Sequence, residues 1–96
     1  MNKIDLGTKN GVYIFRTMTG SKYILKKDGK KITLKRSPNK GGSSLRRDNE
    51  EIEVIKFIPI QVGKGAILKL EPLGDGDSTW RITSKVNEIW ECDDDK

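Results

Sequence analysis

Apolar and polar residues alternate with a period of two along most of this chain, the pattern of β-strands that bury one face. No window keeps apolar residues at helical spacing for long enough to predict a helix. Turn residues separate the alternating segments, and Asp28-Gly29 is the strongest hairpin signal among them. Strands are therefore predicted over residues 12–18, 21–27, 30–36, 51–60, 66–72 and 79–86. Residues 87–91 either extend the last strand or form a closing turn.

The apolar phase changes inside the fourth predicted strand, residues 51–60. Ile52 and Val54 share one phase, whereas Ile55 and Phe57 take the other. A phase change within a strand predicts a β-bulge or a sharp bend. Because strongly bent strands are what allow a small sheet to close, this segment favours a barrel.

These elements predict an all-β fold, a small antiparallel barrel of about six short strands. An SH3-like barrel is the first interpretation and an OB-like barrel the alternative. The last strand is expected to point Trp80, Ile82 and Val86 inward. The length of 96 residues fits one domain over residues 1–96, with 1–10 and 92–96 as peripheral tails.

Composition narrows the chemistry. The chain has no histidine, so it lacks the commonest general base and the imidazole metal ligand. Its lone cysteine, Cys92, rules out an internal disulfide and a multi-cysteine zinc site. We therefore expect a binding protein that is not an enzyme, with no cofactor and no metal. No signal peptide or membrane-spanning apolar run is visible, and a reducing, cytoplasmic location is expected.

Charge is unevenly distributed. Residues 1–50 carry 13 Lys and Arg against 4 Asp and Glu, a balance of +9, whereas residues 51–96 carry 6 against 10, a balance of −4. A basic half of this kind is typical of proteins that bind an anionic partner. The same pattern is found on solvated strands whose lysines protect an exposed edge.

The stretch SPNKGGSSLRRDNEE, residues 37–51, combines the groups that bind phosphate. Its two glycines allow close backbone approach, its serines donate hydroxyl hydrogen bonds, and arginine binds phosphate in a bidentate manner. The candidate phosphate ligands are Lys40, Ser43, Ser44, Arg46 and Arg47. The alternative is a plain connector in which an arginine pairs with a neighbouring acid, and the sequence does not decide which arginine is structural.

Aromatic residues next to basic ones form a second candidate surface. Small barrels that bind nucleic acid use exposed aromatic side chains as stacking platforms beside cations. The residues predicted to stack on bases or to form a basic surface are Tyr23, Trp80, Arg81, Lys22 and Lys35. Core packing is the competing interpretation for both aromatic residues.

The order of the motifs SSLRRDNEEI, IPIQVGKGAILKL and GDGDSTWRITSKVNEI resembles small β-barrel proteins of bacteriophages and their bacterial hosts. The resemblance covers roughly residues 11–90 and implies a single β domain without enzyme activity. Proline usually follows the Thr-Ser pair in that pattern, whereas Lys85 stands there in this chain. Phage proteins of this size commonly act by binding, including the sequestration of nucleotide signals.

Two functions follow as expectations. In the first, the protein binds a phosphate-bearing ligand, either nucleic acid or a small or cyclic nucleotide signal. One example is a counter-defence sponge, which sequesters a signalling nucleotide of a host defence system. In the alternative it is a protein–protein interaction module, such as a phage inhibitor of a host protein or a virion accessory component. The second predicts an exposed apolar or aromatic patch. No membrane partner is expected, and the sequence leaves homo-oligomerisation open.

Overall fold

A computed structural model describes residues 2–5, 7–29, 31–37, 51–71 and 79–92. Eight strands form within these ranges: β1 (Lys3–Ile4), β2 (Gly11–Thr17), β3 (Lys22–Asp28), β4 (Lys31–Ser37), β5 (Ile52–Phe57), β6 (Ile60–Gln61), β7 (Gly65–Leu70) and β8 (Thr79–Cys92). The order β2-β3-β4-β5-β7-β8 closes an antiparallel barrel, and β1 pairs with β6 beside it. The predicted small antiparallel barrel is confirmed. Either predicted subtype, SH3-like or OB-like, is compatible with it.

The longest strand closes the barrel. The first half of β8 pairs with β7, from Thr79 opposite Leu70 to Lys85 opposite Gly65. Its second half pairs with β2 and ends with Cys92 opposite Val12. Residues 87–91 therefore extend the strand, which is the first of the two predicted alternatives.

Inward-pointing side chains from all the barrel strands fill a single core. Phe15 and Tyr23 stack in it with ring centroids 4.9 Å apart and planes 10° apart. Ala66, Leu68 and Leu70, which alternate along β7 and so share one face, are fully buried. Burying a large apolar or aromatic side chain contributes about 1.5–3 kcal/mol, so this core supplies most of the stability of so small a domain.

The N-terminal segment is part of the fold and not only a peripheral tail, which corrects that expectation for residues 1–10. Ile4 is fully buried in the core, because β1 is held against the barrel by its pairing with β6. The Tyr13 hydroxyl donates a 2.6 Å hydrogen bond to the Lys9 carbonyl, and burial raises the pKa of that phenol. The Lys27 ammonium donates to the carbonyls of Asp5 and Thr8. These bonds fasten the segment across one end of the barrel. Of the predicted C-terminal tail, residues 92–96, Cys92 is instead the last residue of β8, and residues 93–96 lie outside the described residues.

The predicted bulge in β5 is confirmed. The register of β5 against β7 shifts between Val54 and Lys56. Val54 and Phe57 consequently both point inward, while Ile55 between them is exposed. The extra residue at the bulge is what allows two apolar phases in one strand.

The inward set of β8 corrects the prediction for that strand. Trp80 and Ile82 lie on the outside of the barrel, and Arg81 between them is buried. Two register shifts explain this, one against β7 between Gly65 and Ile67 and one against β2 between Arg16 and Thr17. Each shift adds one residue to β8 and so exchanges the inward and outward sides of the strand. One shift lies between Val86 and Ile89, so both are buried although they are three residues apart. The other lies between Ile82 and Val86, so Trp80 and Ile82 point outward.

Gly65 marks the β8 bulge, and its replacement tests the bulge geometry. A Cβ atom at Gly65 would lie 2.6 Å from the carbonyl oxygen of Thr83, a backbone atom that cannot move aside freely. We expect Gly65→Ala to lower the free energy of unfolding by about 1–3 kcal/mol through overpacking. Gly7→Ala is the matched control, because its nearest atom would be a side-chain oxygen at an ordinary 3.5 Å. Urea unfolding of the two variants measures the difference, and equal stabilities would contradict the close approach.

Candidate functional site

The predicted phosphate residues Lys40, Ser43, Ser44, Arg46 and Arg47 lie outside the described residues. Their assignment as a phosphate site, and the choice between Arg46 and Arg47 as the structural one, stay predictions. The described strands that flank them are β4, which ends at Ser37, and β5, which begins at Ile52.

The five residues predicted to form a stacking or basic surface do not come together. Tyr23 is buried and stacks on Phe15, so it belongs to the core and presents no ring face to a ligand. Arg81 is also buried, because its strand phase points it into the barrel. Lys22 and Lys35 are half-buried on the outer side of β3 and β4. Trp80 alone is an exposed aromatic group, on the other half of the barrel wall.

The surface around Trp80 exposes the largest group of apolar side chains found on the described strands. Ile82 is 70% exposed, Ile55 55%, Trp80 53% and Ile58 46%. We call this surface the isoleucine–tryptophan face and define it by the outward side chains of β5, β7 and β8 and of Ile58, which directly follows β5: Ile55, Lys56, Ile58, Ile67, Lys69, Trp80 and Ile82. Exposed apolar clusters of this kind are uncommon on monomers and mark interaction surfaces.

Strand register arranges the face in two rows that run across the strands. In the first row Lys69 is opposite both Lys56 on β5 and Trp80 on β8. In the second row Ile67 is opposite Ile82, and the Ile58 amide donates to the Ile67 carbonyl at 3.4 Å. Neighbouring strands are about 4.8 Å apart and the rows about 7 Å apart, since the rows are two residues apart along a strand. Cationic and aliphatic rows therefore lie side by side.

The lysines of this face are available to a partner. The Lys69 ammonium lies 5.8 Å from the centroid of the Trp80 ring, within the range of a cation–π contact. The ion pairs found among the described residues lie elsewhere: Lys3–Asp5, Lys9–Glu91, Arg16–Glu88 and Lys26–Glu51. Within the described residues neither Lys56 nor Lys69 has a carboxylate oxygen within 4.0 Å.

The second tryptophan lies on a different and less exposed part of the wall. Trp90 is half-buried on the second half of β8, opposite Ile14 of β2. The Arg16 guanidinium lies 5.9 Å from the Trp90 ring centroid and also pairs with Glu88 at 3.7 Å. This cation is thus already neutralised within the fold, in contrast to Lys69 beside Trp80.

The exposure and charge around Trp80 predict an asymmetric response to ionic quenchers. In a Trp90→Phe background, in which Trp80 is the only tryptophan, iodide is expected to quench its fluorescence more strongly than caesium does. The reason is that Lys69 and Lys56 raise the local anion concentration at an exposed ring. Lys69→Gln should reduce the difference between quenching by iodide and quenching by caesium. Equal quenching by the two ions, or quenching by neither, would contradict the geometry of this row.

One part of this face could be read from the sequence, and the rest could not. The phase change in β5 predicted a bulge, and Ile55 is exposed at that bulge. Ile55 and Phe57 were expected to share a phase, whereas Phe57 is buried with Val54. Nothing in the sequence indicated that Lys56 and Lys69 lie side by side, because their proximity depends on the register between two strands. Ile82 was predicted inward because no sequence feature marks the two bulges of β8.

The described residues contain no cluster of three or more carboxylate, thiol or imidazole groups that could hold a metal ion. Nor do they include a helix long and apolar enough to cross a membrane. Comparison of the chain with protein-family models, with curated proteins and with solved structures gives no match. The resemblance of its motif order to phage β-barrel proteins therefore stays a prediction.

Proposed function

We propose that this barrel is a non-enzymatic protein-binding module and that the isoleucine–tryptophan face is its binding surface. The observation that carries the proposal is the exposure of Trp80, Ile82 and Ile55, each more than half accessible, on the two strands that flank β7 in one wall. This is the patch that the protein-interaction alternative predicted from sequence.

The chemistry of the face favours a protein over a nucleic acid. Single-stranded nucleic acid is held by stacking of bases on aromatic rings, and Trp80 is the one aromatic group that the described part of this face presents. The other exposed apolar groups of the face are isoleucines, which stack poorly but pack well against apolar side chains. Protein interfaces place such anchors at their centre, and a tryptophan there commonly dominates the binding energy.

A phosphate-bearing ligand is the second candidate, supported by the contact between Lys69 and Trp80 and by the +9 balance of residues 1–50. Nucleic acid or a nucleotide signal of a host defence system are the ligands expected from sequence.

Two grooves on the described residues are poorly matched to a small nucleotide. One of about 600 Å³ is lined by Asn2, Lys3, Gln61 and Val62, and its one cation, Lys3, already pairs with Asp5 at 3.6 Å. The other, of about 200 Å³ on β3, β4 and β5, has Lys26 and Lys31 in its lining, but also Asp28 and Glu51. Those carboxylates would repel a phosphate.

A random peptide display library, selected on the immobilised full-length protein, tests the proposed function. We expect enriched peptides that bind the native chain and lose binding to the Trp80→Ser/Ile82→Ser double variant. Met18→Ser is the matched control, since Met18 is 62% exposed but lies in the turn between β2 and β3, outside the seven residues that define the face. Absence of enriched peptides, or peptides insensitive to the double variant, would contradict the proposal.

Labelled oligothymidylate and cyclic dinucleotides, titrated at two salt concentrations, test the second candidate in parallel. Binding to nucleic acid should weaken steeply as salt rises, because counterions are released from the phosphates. Salt-sensitive oligothymidylate binding that is lost in Trp80→Ala would favour the second candidate over the first.

A further inference from the structure

We propose that the partner seated on the isoleucine–tryptophan face is an acidic protein segment with apolar anchors, and not a second copy of this chain. The inference rests on the proposed function and specifies the chemistry of its partner. It comes from the placement of charge relative to the apolar groups of the face.

The cations of the face lie directly beside its apolar side chains. Lys56 and Lys69 face each other across β5 and β7, and Lys69 is also opposite Trp80. A partner that covers Trp80 and Ile82 must also cover or border these ammonium groups. Removing them from water without a counter-charge is costly, so a partner with carboxylates at matching positions is favoured.

The described carboxylates of this wall lie at the border of the face and do not pair with its lysines. Glu53 and Glu71 lie beyond the row of Trp80, toward the end of β7, where the Glu71 carboxylate accepts a 3.0 Å hydrogen bond from the Glu53 amide. Among the described residues, Lys56 and Lys69 form no ion pair with either of them. The positive charge therefore lies at the apolar centre of the face, and the negative charge at one edge.

A second copy of the chain fits this face poorly. A two-fold dimer brings the same patch of both subunits together. If the two-fold axis passes through the centre of the face, Lys56 and Lys69 of one copy lie beside the same lysines of the other copy. Like charges placed opposite each other in a contact are destabilising, and the chain already carries a net charge of +5. The homo-oligomer left open by the sequence is thus disfavoured at this surface.

The two rows also specify how the partner's groups are spaced. Carboxylates must lie over the row of Lys56 and Lys69, and apolar side chains over the row of Ile67 and Ile82. The rows are about 7 Å apart, which is the spacing of residues i and i+2 on an extended strand. An extended segment that lies along the strands, with an acidic residue at position i and an apolar residue at position i+2, satisfies this spacing. A helix with such groups on one face satisfies it as well.

The net charge of the display-selected peptides tests the inference. We expect the peptides that depend on Trp80 and Ile82 to be enriched in Asp and Glu together with aromatic or aliphatic residues. A synthetic copy of the strongest peptide should bind about tenfold more tightly than its Asn/Gln counterpart, in which every Asp and Glu is replaced. Lys56→Gln/Lys69→Gln should bring the ratio of the two peptide affinities close to one, because the charge-dependent part of the binding needs these two ammonium groups.

Two other outcomes would overturn the acidic partner, and a third would contradict the proposed function. Face-dependent peptides that are neutral or basic would overturn the acidic partner and leave the proposed function intact. A concentration-dependent dimer in sedimentation that dissociates in Ile82→Ser, while Met18→Ser still dimerises, would overturn it in favour of a second copy. No face-dependent peptide at all would contradict the proposed function itself.

Discussion

Phe15→Ala is expected to lower the free energy of unfolding by about 3–5 kcal/mol, the largest effect on stability that we predict for a single substitution. Phe15 is fully buried, and its ring stacks on Tyr23 at 4.9 Å, so alanine leaves a cavity and removes an aromatic contact. A domain of this size has a total stability on the order of 5–10 kcal/mol, so much of its margin would be lost. Urea unfolding followed by circular dichroism measures the change.

Trp80→Ala is the matched control for this loss. It also replaces an aromatic residue by alanine, but at a site that is 53% exposed on the outside of the barrel. We expect the stability of this variant to stay within about 1 kcal/mol of the native chain. A loss of several kcal/mol in Trp80→Ala, or a small one in Phe15→Ala, would mean that β2 or β8 has the opposite face turned inward.

Ile82→Glu is expected to weaken binding of a face-dependent peptide by about 100-fold or more while leaving the fold intact. Ile82 is 70% exposed in the free protein, so glutamate is readily solvated there. In the complex the same carboxylate would be buried among apolar groups and would repel an acidic partner, at a combined cost on the order of 3 kcal/mol. Fluorescence anisotropy of the labelled peptide measures the affinity.

Met18→Glu provides the comparison for the binding loss. It introduces the same charge at an exposed apolar residue that lies outside the face. Its affinity for the peptide should equal that of the native protein. If both variants bind normally, the isoleucine–tryptophan face is not the docking surface, and if both lose binding, the effect is one of overall charge.

The barrel and most of its core were predictable because they depend on local pattern. Alternation gave Tyr13 and Phe15 a common face, the Asp28-Gly29 hairpin forms with Gly29 at a φ of 63°, and the phase change placed a bulge in β5. Each of these features is encoded within a few consecutive residues. The burial of Ile4 was missed because it depends on β1 pairing with β6, a contact between residues far apart in the chain.

The candidate site was harder to predict because it depends on the register between strands. The pattern Trp-Arg-Ile has the hydrophobicity of a strand with Trp80 and Ile82 buried, and only the paired bulges of β8 reverse it. The net charge of each half of the chain was a misleading guide to the site for the same reason. Residues 51–96 are acidic overall, yet Lys56 and Lys69 come from that half and meet on one wall.

Backbone amide chemical-shift mapping of the uniformly labelled protein, titrated with a display-selected peptide, tests the central proposal most directly. We expect the largest shifts on β5, β7 and the first half of β8, around Lys69, Trp80 and Ile82, while β3 and β4 stay unperturbed. Shifts concentrated on β3 and β4 around Lys22 and Lys35, with none around Ile82, would contradict it.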